Sequence, residues 1–182
     1  ALVIMLQNAV NDTKSFGQRC AALYVFQSAI YRNPDMQLRI AATFLPSSGG
    51  KFGGTTAGTV LCQGLLTGDP MKTWFSALAF AHVLIGNRDA KEKMLCVAIQ
   101  QENAPAPQSL LSVCVENLMK VQSVSPDGER IQAALTTLLI TWLSDCPYAL
   151  TVFLDIPDVL GHLVSRLSDN SGTSMIGQGL TG

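Results

Sequence analysis

Along most of this chain the apolar positions recur every three to four residues, the spacing that lines one face of a helix. No stretch sustains the every-second-residue alternation of a strand, so no sheet is expected. The helices fall into three successive groups. In the first, a long apolar helix over Phe16–Tyr31 precedes a helix opening at Asn33-Pro34 and closing at Leu45-Pro46, with a third over Thr56–Leu66. The second group runs Pro70–Ile85, then Asn87 to about Gln100, then Ser109–Val121. The third runs Pro126–Leu143, then a short helix opening at Asp145-Cys146-Pro147 and ending near Asp155, then Pro157–Leu167. Ahead of them, Leu2–Val10 reads as the closing helix of a preceding unit.

The joints support this grouping. Asn33, Asp69, Ser125 and Asp145 carry side-chain oxygens that accept from the orphan N–H groups of a helix start. Proline follows directly at 34, 70 and 126, where its missing N–H is harmless, and Pro147 follows Asp145 by two. On the long helices Ala22-Leu23, Ala77-Leu78 and Ala134-Leu135 mark a common register, spaced by 55 and 57 residues. The units are placed at 14–68, 69–124 and 125–169. Residues 1–13 end an earlier unit, and 170–182 begin a further one near Gly179-Leu180. The expected fold is all-α, a right-handed superhelix of three-helix repeats, cut from a longer solenoid at both ends. Two segments break the pattern, Ser47–Gly54 and the proline-containing Glu102–Pro107. Both fall at the same joint of a unit and are expected on one edge.

Composition narrows the function classes. Apolar residues make up 48% and charged residues 14%, well below the roughly 25% of an ordinary soluble domain. The longest apolar stretch, Ala133–Leu143, is interrupted by threonines and far short of the roughly 20 residues of a membrane span. Such a chain has to be buried on several sides. Net charge is −1, with neither sign clustered, and no basic stripe is present to neutralise phosphates, which argues against nucleic-acid binding. The cysteines at 20, 62, 96, 114 and 146 show no CxxC spacing and read as buried free thiols of a reducing compartment.

Candidate chemistry is sparse. Gly49-Gly50-Lys51 lacks the earlier glycine and the following Ser or Thr of a phosphate loop, and reads as a connector. His82 and His162 lie in apolar stretches and read as satisfied core or near-core histidines rather than metal ligands. No paired carboxylates stand in an apolar setting. Neither catalytic residues, a metal site nor a cofactor site is expected, and the chain reads as a protein-binding scaffold rather than an enzyme. The aromatic residues fall mostly on the long helices and are expected in the core. Trp74 is the exception: it opens a helix just after Asp69-Pro70, which suits a partner surface.

Read as phrases, Arg19-Cys-Ala-Ala-Leu-Tyr-Val-Phe-Gln27, Leu61-Cys-Gln-Gly-Leu65, Trp74 with Ala79-Phe-Ala-His82, and Thr141-Trp-Leu-Ser-Asp-Cys-Pro147 carry a resemblance. In this order they resemble the globular head of the general vesicular transport factor family, long coiled-coil tethers of endoplasmic-reticulum-to-Golgi traffic. The resemblance implies an armadillo-like α-solenoid head on a cytosolic homodimer bound peripherally to Golgi membranes and transport vesicles. Its implied partners are a Rab-family GTPase, golgins, SNARE proteins and subunits of tethering complexes such as the conserved oligomeric Golgi complex. It assigns no partner contact to individual residues. The competing reading is an armadillo-type adaptor for nuclear transport or cytoskeletal binding. Such arrays usually line a groove with recurring Asn and Trp, whereas Trp74 and Trp142 sit at opposite ends of their helices.

The register makes a direct prediction. If Ala22, Ala77 and Ala134 stand where helices cross, Ala134→Trp has no room and costs about 1–3 kcal/mol or more. Lys51→Ala, in a connector, should change stability by less than about 0.5 kcal/mol. Thermal melts of both variants settle it, and equal melting temperatures would put Ala134 on the solvent side.

Overall fold

The structure is a computed structural model that describes residues 1–45, 55–100, 106–121 and 125–165. These residues are mostly helical. In chain order the elements are α1 (Leu2–Val10), α2 (Phe16–Ile30), α3 (Pro34–Ala42), α4 (Ala57–Leu66), α5 (Pro70–Leu84) and α6 (Arg88–Leu95). A short ladder of β1 (Ala98–Ile99) and β2 (Gln108–Ser109) follows, then α7 (Leu110–Lys120), α8 (Pro126–Leu143), α9 (Pro147–Leu154) and α10 (Val159–Ser165).

The helix starts follow from their caps. Asn33 accepts from the Met36 N–H, Asp69 from Lys72 and Ser125 from Gly128, each with proline at the next position. Asn87 caps α6 in the same way, and Ser15 closes a reciprocal capping box with Gln18. Asp145 departs from expectation. The residue at the start of α9 is Cys146, which makes no side-chain cap bond. Asp145 instead takes a left-handed conformation with φ of 52°. Arg32 and Gly86 occupy the same place before Asn33 and Asn87, with φ of 52° and 66°. One joint therefore recurs three times. A long helix ends at Tyr31, Ile85 or Ser144 with ψ of 124°, 125° or 133°, one left-handed residue reverses the chain, and the next helix begins. Asparagine, aspartate and glycine tolerate that conformation best, so Asp145 serves the turn rather than the cap.

Measured from this joint, the three alanines are not in one register. Ala22, Ala77 and Ala134 precede Asn33, Asn87 and Cys146 by 11, 10 and 12 residues. All three are nevertheless buried, Ala134 at 1% exposure.

The core is organised around α5. Thr73, Phe75, Ser76, Ala77, Ala79, Phe80, Ala81, Val83 and Leu84 are all buried, and beyond the first turn only the stripe of Trp74, Leu78 and His82 is half-buried. A helix apolar all round belongs inside a fold. It packs most extensively on α8 and also touches α1, α2, α3, α4 and α6. Small residues permit this crowding: a Cβ on Gly64 of α4 would collide with Ser76 of α5, and one on Gly58 with the backbone of Thr43. Phe80 links the helices, stacked on Phe44 at 5.0 Å and edge-on to Trp142 of α8 at 5.2 Å. Such ring pairs contribute about 0.5–1.5 kcal/mol each beyond their buried area.

Four of the buried polar side chains, Arg19, Gln37, Thr73 and Lys91, meet helix ends. A helix leaves its last carbonyls without intrahelical partners, and burying them unpaired is costly. The Arg19 Nε–H donates to Ala9 O at the end of α1, 2.8 Å away. Thr73 Oγ1 donates to Gly64 O near the end of α4 at 3.3 Å. The Gln37 amide on α3 donates to His82 O and Ile85 O, both at 3.0 Å, at the end of α5. Lys91 on α6 donates to Ser144 O at the end of α8, at 2.6 Å. Gln37 and Lys91 both stand at the fourth position of their short helices and reach forward to the next long helix, each at its C-cap carbonyl. Trp142 returns a bond from α8, its Nε1–H donating to Lys91 O at 3.0 Å.

Three further expectations need correction. The all-helical reading missed the two-residue antiparallel ladder, in which Ala98 faces Ser109 and Ile99 faces Gln108. Two-residue strands carry no periodic signal, and this ladder is set by the Leu110 N–H donating to Val97 O at 2.9 Å. For the same reason α6 stops at Leu95 rather than near Gln100, since the β-branched Val97 and Ile99 flank the departure of the chain from the helix. Thr43 ends α3 at Ala42 rather than at Leu45: its hydroxyl donates to Ile40 O and accepts from Gly58 N. The glycine-rich segment with Lys51, most of the proline loop and the start proposed near Gly179-Leu180 lie outside the described residues. Among those described, no single helix is long and apolar enough to cross a membrane; α9 and α10 qualify by length and composition only as a pair bent by 86°.

Trp142→Phe removes both ring volume at a fully buried site and the only donor of that side chain. We expect a loss of about 1–3 kcal/mol in urea unfolding. Tyr148→Ala, at an exposed site on α9, should change stability by less than about 0.5 kcal/mol.

Candidate protein-interaction surface

Trp74 stands one turn into α5, where that helix emerges from the core. Asp69 and Pro70 fix the helix start, with Asp69 Oδ1 accepting from the Lys72 N–H at 2.7 Å. The capping box of Ser15 and Gln18 fixes the start of α2 and places Phe16 at its first position. Phe16 lies parallel to Trp74, centroids 6.2 Å apart at 26° between planes. Trp74 in turn meets Phe75 edge-on at 4.8 Å and 77°. Phe75 is fully buried, and the Arg19 guanidinium sits 4.4 Å from its ring centroid while bonded to Ala9 O. The rings thus rest on a floor that cannot shift without breaking the α1–α2 contact.

Among the described residues, Phe16, Met71, Trp74 and Arg130 line a hollow of about 370 Å³ at this place. Its walls come from the N-terminal turns of α2, α5 and α8. Arg130 is the one charged group of that lining, and it pairs with Asp127 one turn earlier at 3.1 Å. The arrangement offers an apolar slot edged by a guanidinium. Its described lining holds no nucleophile and no general base.

Other hollows open among the described residues, one of about 220 Å³ between α4, α5, α7 and α8 and two larger ones. One of about 390 Å³ is polar and includes Asp12 and Lys72, an ion pair at 2.9 Å. The bond to Lys72 holds the Asp12 carboxyl below its usual range and raises the Lys72 ammonium. The other, of about 300 Å³, is lined by Tyr24, Gln27, Ser28, Tyr31 and His82. Partial burial pushes the His82 imidazole down, which favours its neutral form at neutral pH.

Trp74, the one candidate named from sequence, therefore sits in an aromatic cluster, whereas Phe16, Met71 and Arg130 were missed. Phe16 was expected in the core but is 58% exposed, and Tyr24 and Tyr31 are exposed as well. Nothing local signals the hollow, because its four residues meet only when three helix starts converge. Among the described residues, no group of three His, Cys, Asp or Glu is placed to hold a metal ion. His162 has its Nε2 buried without a partner there, so it is not the satisfied histidine expected. All five cysteines are free; Cys114 and Cys146 are buried, Cys20 and Cys62 half-buried and Cys96 exposed at the end of α6, against expectation. Early termination of α6 brings Cys96 to the surface.

Comparison with known proteins covers the whole chain. The family model described as Uso1 / p115 like vesicle tethering protein, head region, matches residues 1–182. The chain is 38% identical over 175 residues to general vesicular transport factor p115 of Rattus norvegicus, covering 94% of this chain and 18% of that protein. The corresponding protein of Homo sapiens is 37% identical over the same length. Golgin candidate 6 of Arabidopsis thaliana is 28% identical over 186 residues, covering 91% of this chain and 20% of its own. The chain thus spans about a fifth of the length of these relatives.

The cysteines give a check on the packing around these surfaces. Burial pushes the Cys62 and Cys114 thiols from an ordinary 9.0 up to about 12. A raised folded value stabilises the fold below the unfolded value and loses that contribution as pH climbs from about 9 to about 12. Native thiol labelling at neutral pH should modify Cys96 first and leave Cys62 and Cys114 unmodified until unfolding. The loss of stability above pH about 9 should shrink in Cys114→Ala. Early labelling of Cys114 would contradict its burial on α7.

Proposed function

The chain belongs to the family of Uso1/p115-like vesicle tethering proteins, matching their head region, and on that premise we propose that it is a non-enzymatic protein-interaction scaffold within such a head. In this reading the whole protein docks transport vesicles to Golgi membranes in ER-to-Golgi and intra-Golgi traffic. The match of the family model across all 182 residues carries the proposal. The relatives are named as vesicular transport factors and a golgin candidate, which supports transport over the nuclear or cytoskeletal adaptor alternative.

The finer architecture belongs to the same reading. We take the helices as an armadillo-like α-solenoid with repeats at 14–68, 69–124 and 125–169. The recurring joint at Asn33, Asn87 and Cys146 supports it, as does the equivalent reach of Gln37 and Lys91 to the next long helix. A scaffold of this kind presents helix ends and loops to partners while its interior stays apolar. The protein then works in the cytoplasm, peripherally bound to Golgi membranes and vesicles through partners. Those partners are a Rab-family GTPase, golgins, SNAREs and tethering-complex subunits, contacted by a homodimer in the full protein. Within these 182 residues, Trp74 is the candidate contact residue.

Capture of the full-length protein on immobilised Golgi Rab proteins tests this. Retention on the GTP-loaded form, weak retention on the GDP-loaded form, and clustering of Golgi-derived vesicles in its presence are expected. Equal behaviour with both nucleotides and no clustering would overturn the reading.

A further inference from the structure

The second and third joints between a long helix and the short helix after it are held in different ways. At the second, Asn87 opens α6 and accepts from the Ala90 N–H. Its amide also donates to Pro34 O and to Gln37 Oε1 on α3, both at 3.1 Å. Gln37 in turn donates to His82 O and Ile85 O. The short helix α6 is thereby tied to the short helix before it and to the end of α5. Hydrogen bonds have direction, so α3, α5 and α6 keep one mutual angle. Elsewhere Arg19 clamps α2 to α1, Thr73 clamps α5 to α4, and Asn117 clamps α7 to α4.

At the third joint Cys146 stands where Asn87 stands at the second, buried but making no cap bond. Lys91 spends both of its links to this joint on α8: its ammonium donates to Ser144 O, and its carbonyl accepts from Trp142 Nε1. Among the described residues, no side-chain hydrogen bond joins α9 to α6 or to α8. The Thr151 hydroxyl turns back to Pro147 O of its own helix. What α9 buries is the apolar pair Ala149 and Phe153. Apolar contact has no preferred direction, so it resists separation of the helices but not a change of angle. The connection is only Ser144, Asp145 and Cys146, and it turns at the left-handed Asp145. A few residues at an element end are enough to absorb a hinge rotation.

We infer that the stack hinges between α8 and α9. The helices α1–α8 move as one block, and α9 swings about Ser144–Cys146. Opening lifts Ala149 and Phe153 from the block and bares the Cys146 thiol while α6 and α8 stay folded.

Thiol labelling of the full-length protein at neutral pH, read residue by residue by peptide mass spectrometry, tests this. Cys114 and Cys146 are each 1% exposed, so burial alone gives them no difference in access. With the hinge, Cys146 should label about tenfold or more faster than Cys114, at a rate that low urea barely changes. Cys114 should label only as urea approaches global unfolding. Hydrogen exchange should show the α9 amides opening faster than those of α3 and α6. Lys91→Gln combined with Cys146→Asn transplants the second joint into the third, and should slow exchange in α9 about fivefold. Equal labelling of the two thiols, α9 amides protected as well as those of α6, or unchanged α9 exchange in a folded double variant would each overturn the inference. If the double variant does not fold, the thiol comparison in the parent protein decides. Rab capture, which tests the scaffold reading, is independent of all these readouts.

Discussion

Stacked helices bury their own ends, and the carbonyls of those ends must find donors. Four of the buried polar side chains in this chain meet that need directly. Arg19 closes the end of α1, Thr73 that of α4, Gln37 that of α5 and Lys91 that of α8. Each of these bonds runs between helices, so each also fixes how one helix sits on the next. Lys91 illustrates the balance. Burial lowers the pKa of its ammonium, which shows that the charge is held at a cost in this environment. What holds it is a short bond to Ser144 O.

With the ends satisfied, α5 can lie beneath its neighbours on all but the half-buried stripe of Trp74, Leu78 and His82. That placement accounts for the low charge content and for the small residues along α5 and at Gly64. It also locates the surface of interest. Trp74 sits where α5 leaves cover, so a ring supported by core packing on one side faces an open slot on the other. Sealing of the interior and presentation of the slot arise from the same helix.

Much of the helix layout was legible because its causes are local. Asn33-Pro34, Asp69-Pro70 and Ser125-Pro126 announce helix starts within two residues, and all three cap as their chemistry requires. Asp145 misled because aspartate suits both an N-cap and a left-handed turn, and only the tertiary joint decides between them. The β1–β2 ladder was illegible since two residues have no period. The alanine register matched in burial but not in position, since Ala22, Ala77 and Ala134 stand 11, 10 and 12 residues before their joints. Of the hollow, only Trp74 carried a signal; Phe16 and Arg130 become its neighbours through packing that spans more than a hundred residues of sequence.

The carbonyl clamps are the part of this picture most open to refutation, since replacing a buried charge by an apolar side chain often stabilises a protein. Lys91→Met keeps the length of the side chain and removes its donors. If Lys91 holds α6 to α8 through Ser144 O, the substitution leaves that carbonyl unpaired and lowers stability by about 1–3 kcal/mol in urea unfolding. A Lys91→Met protein as stable as the parent, or more stable, would contradict the claim that donors at the helix ends hold this stack together.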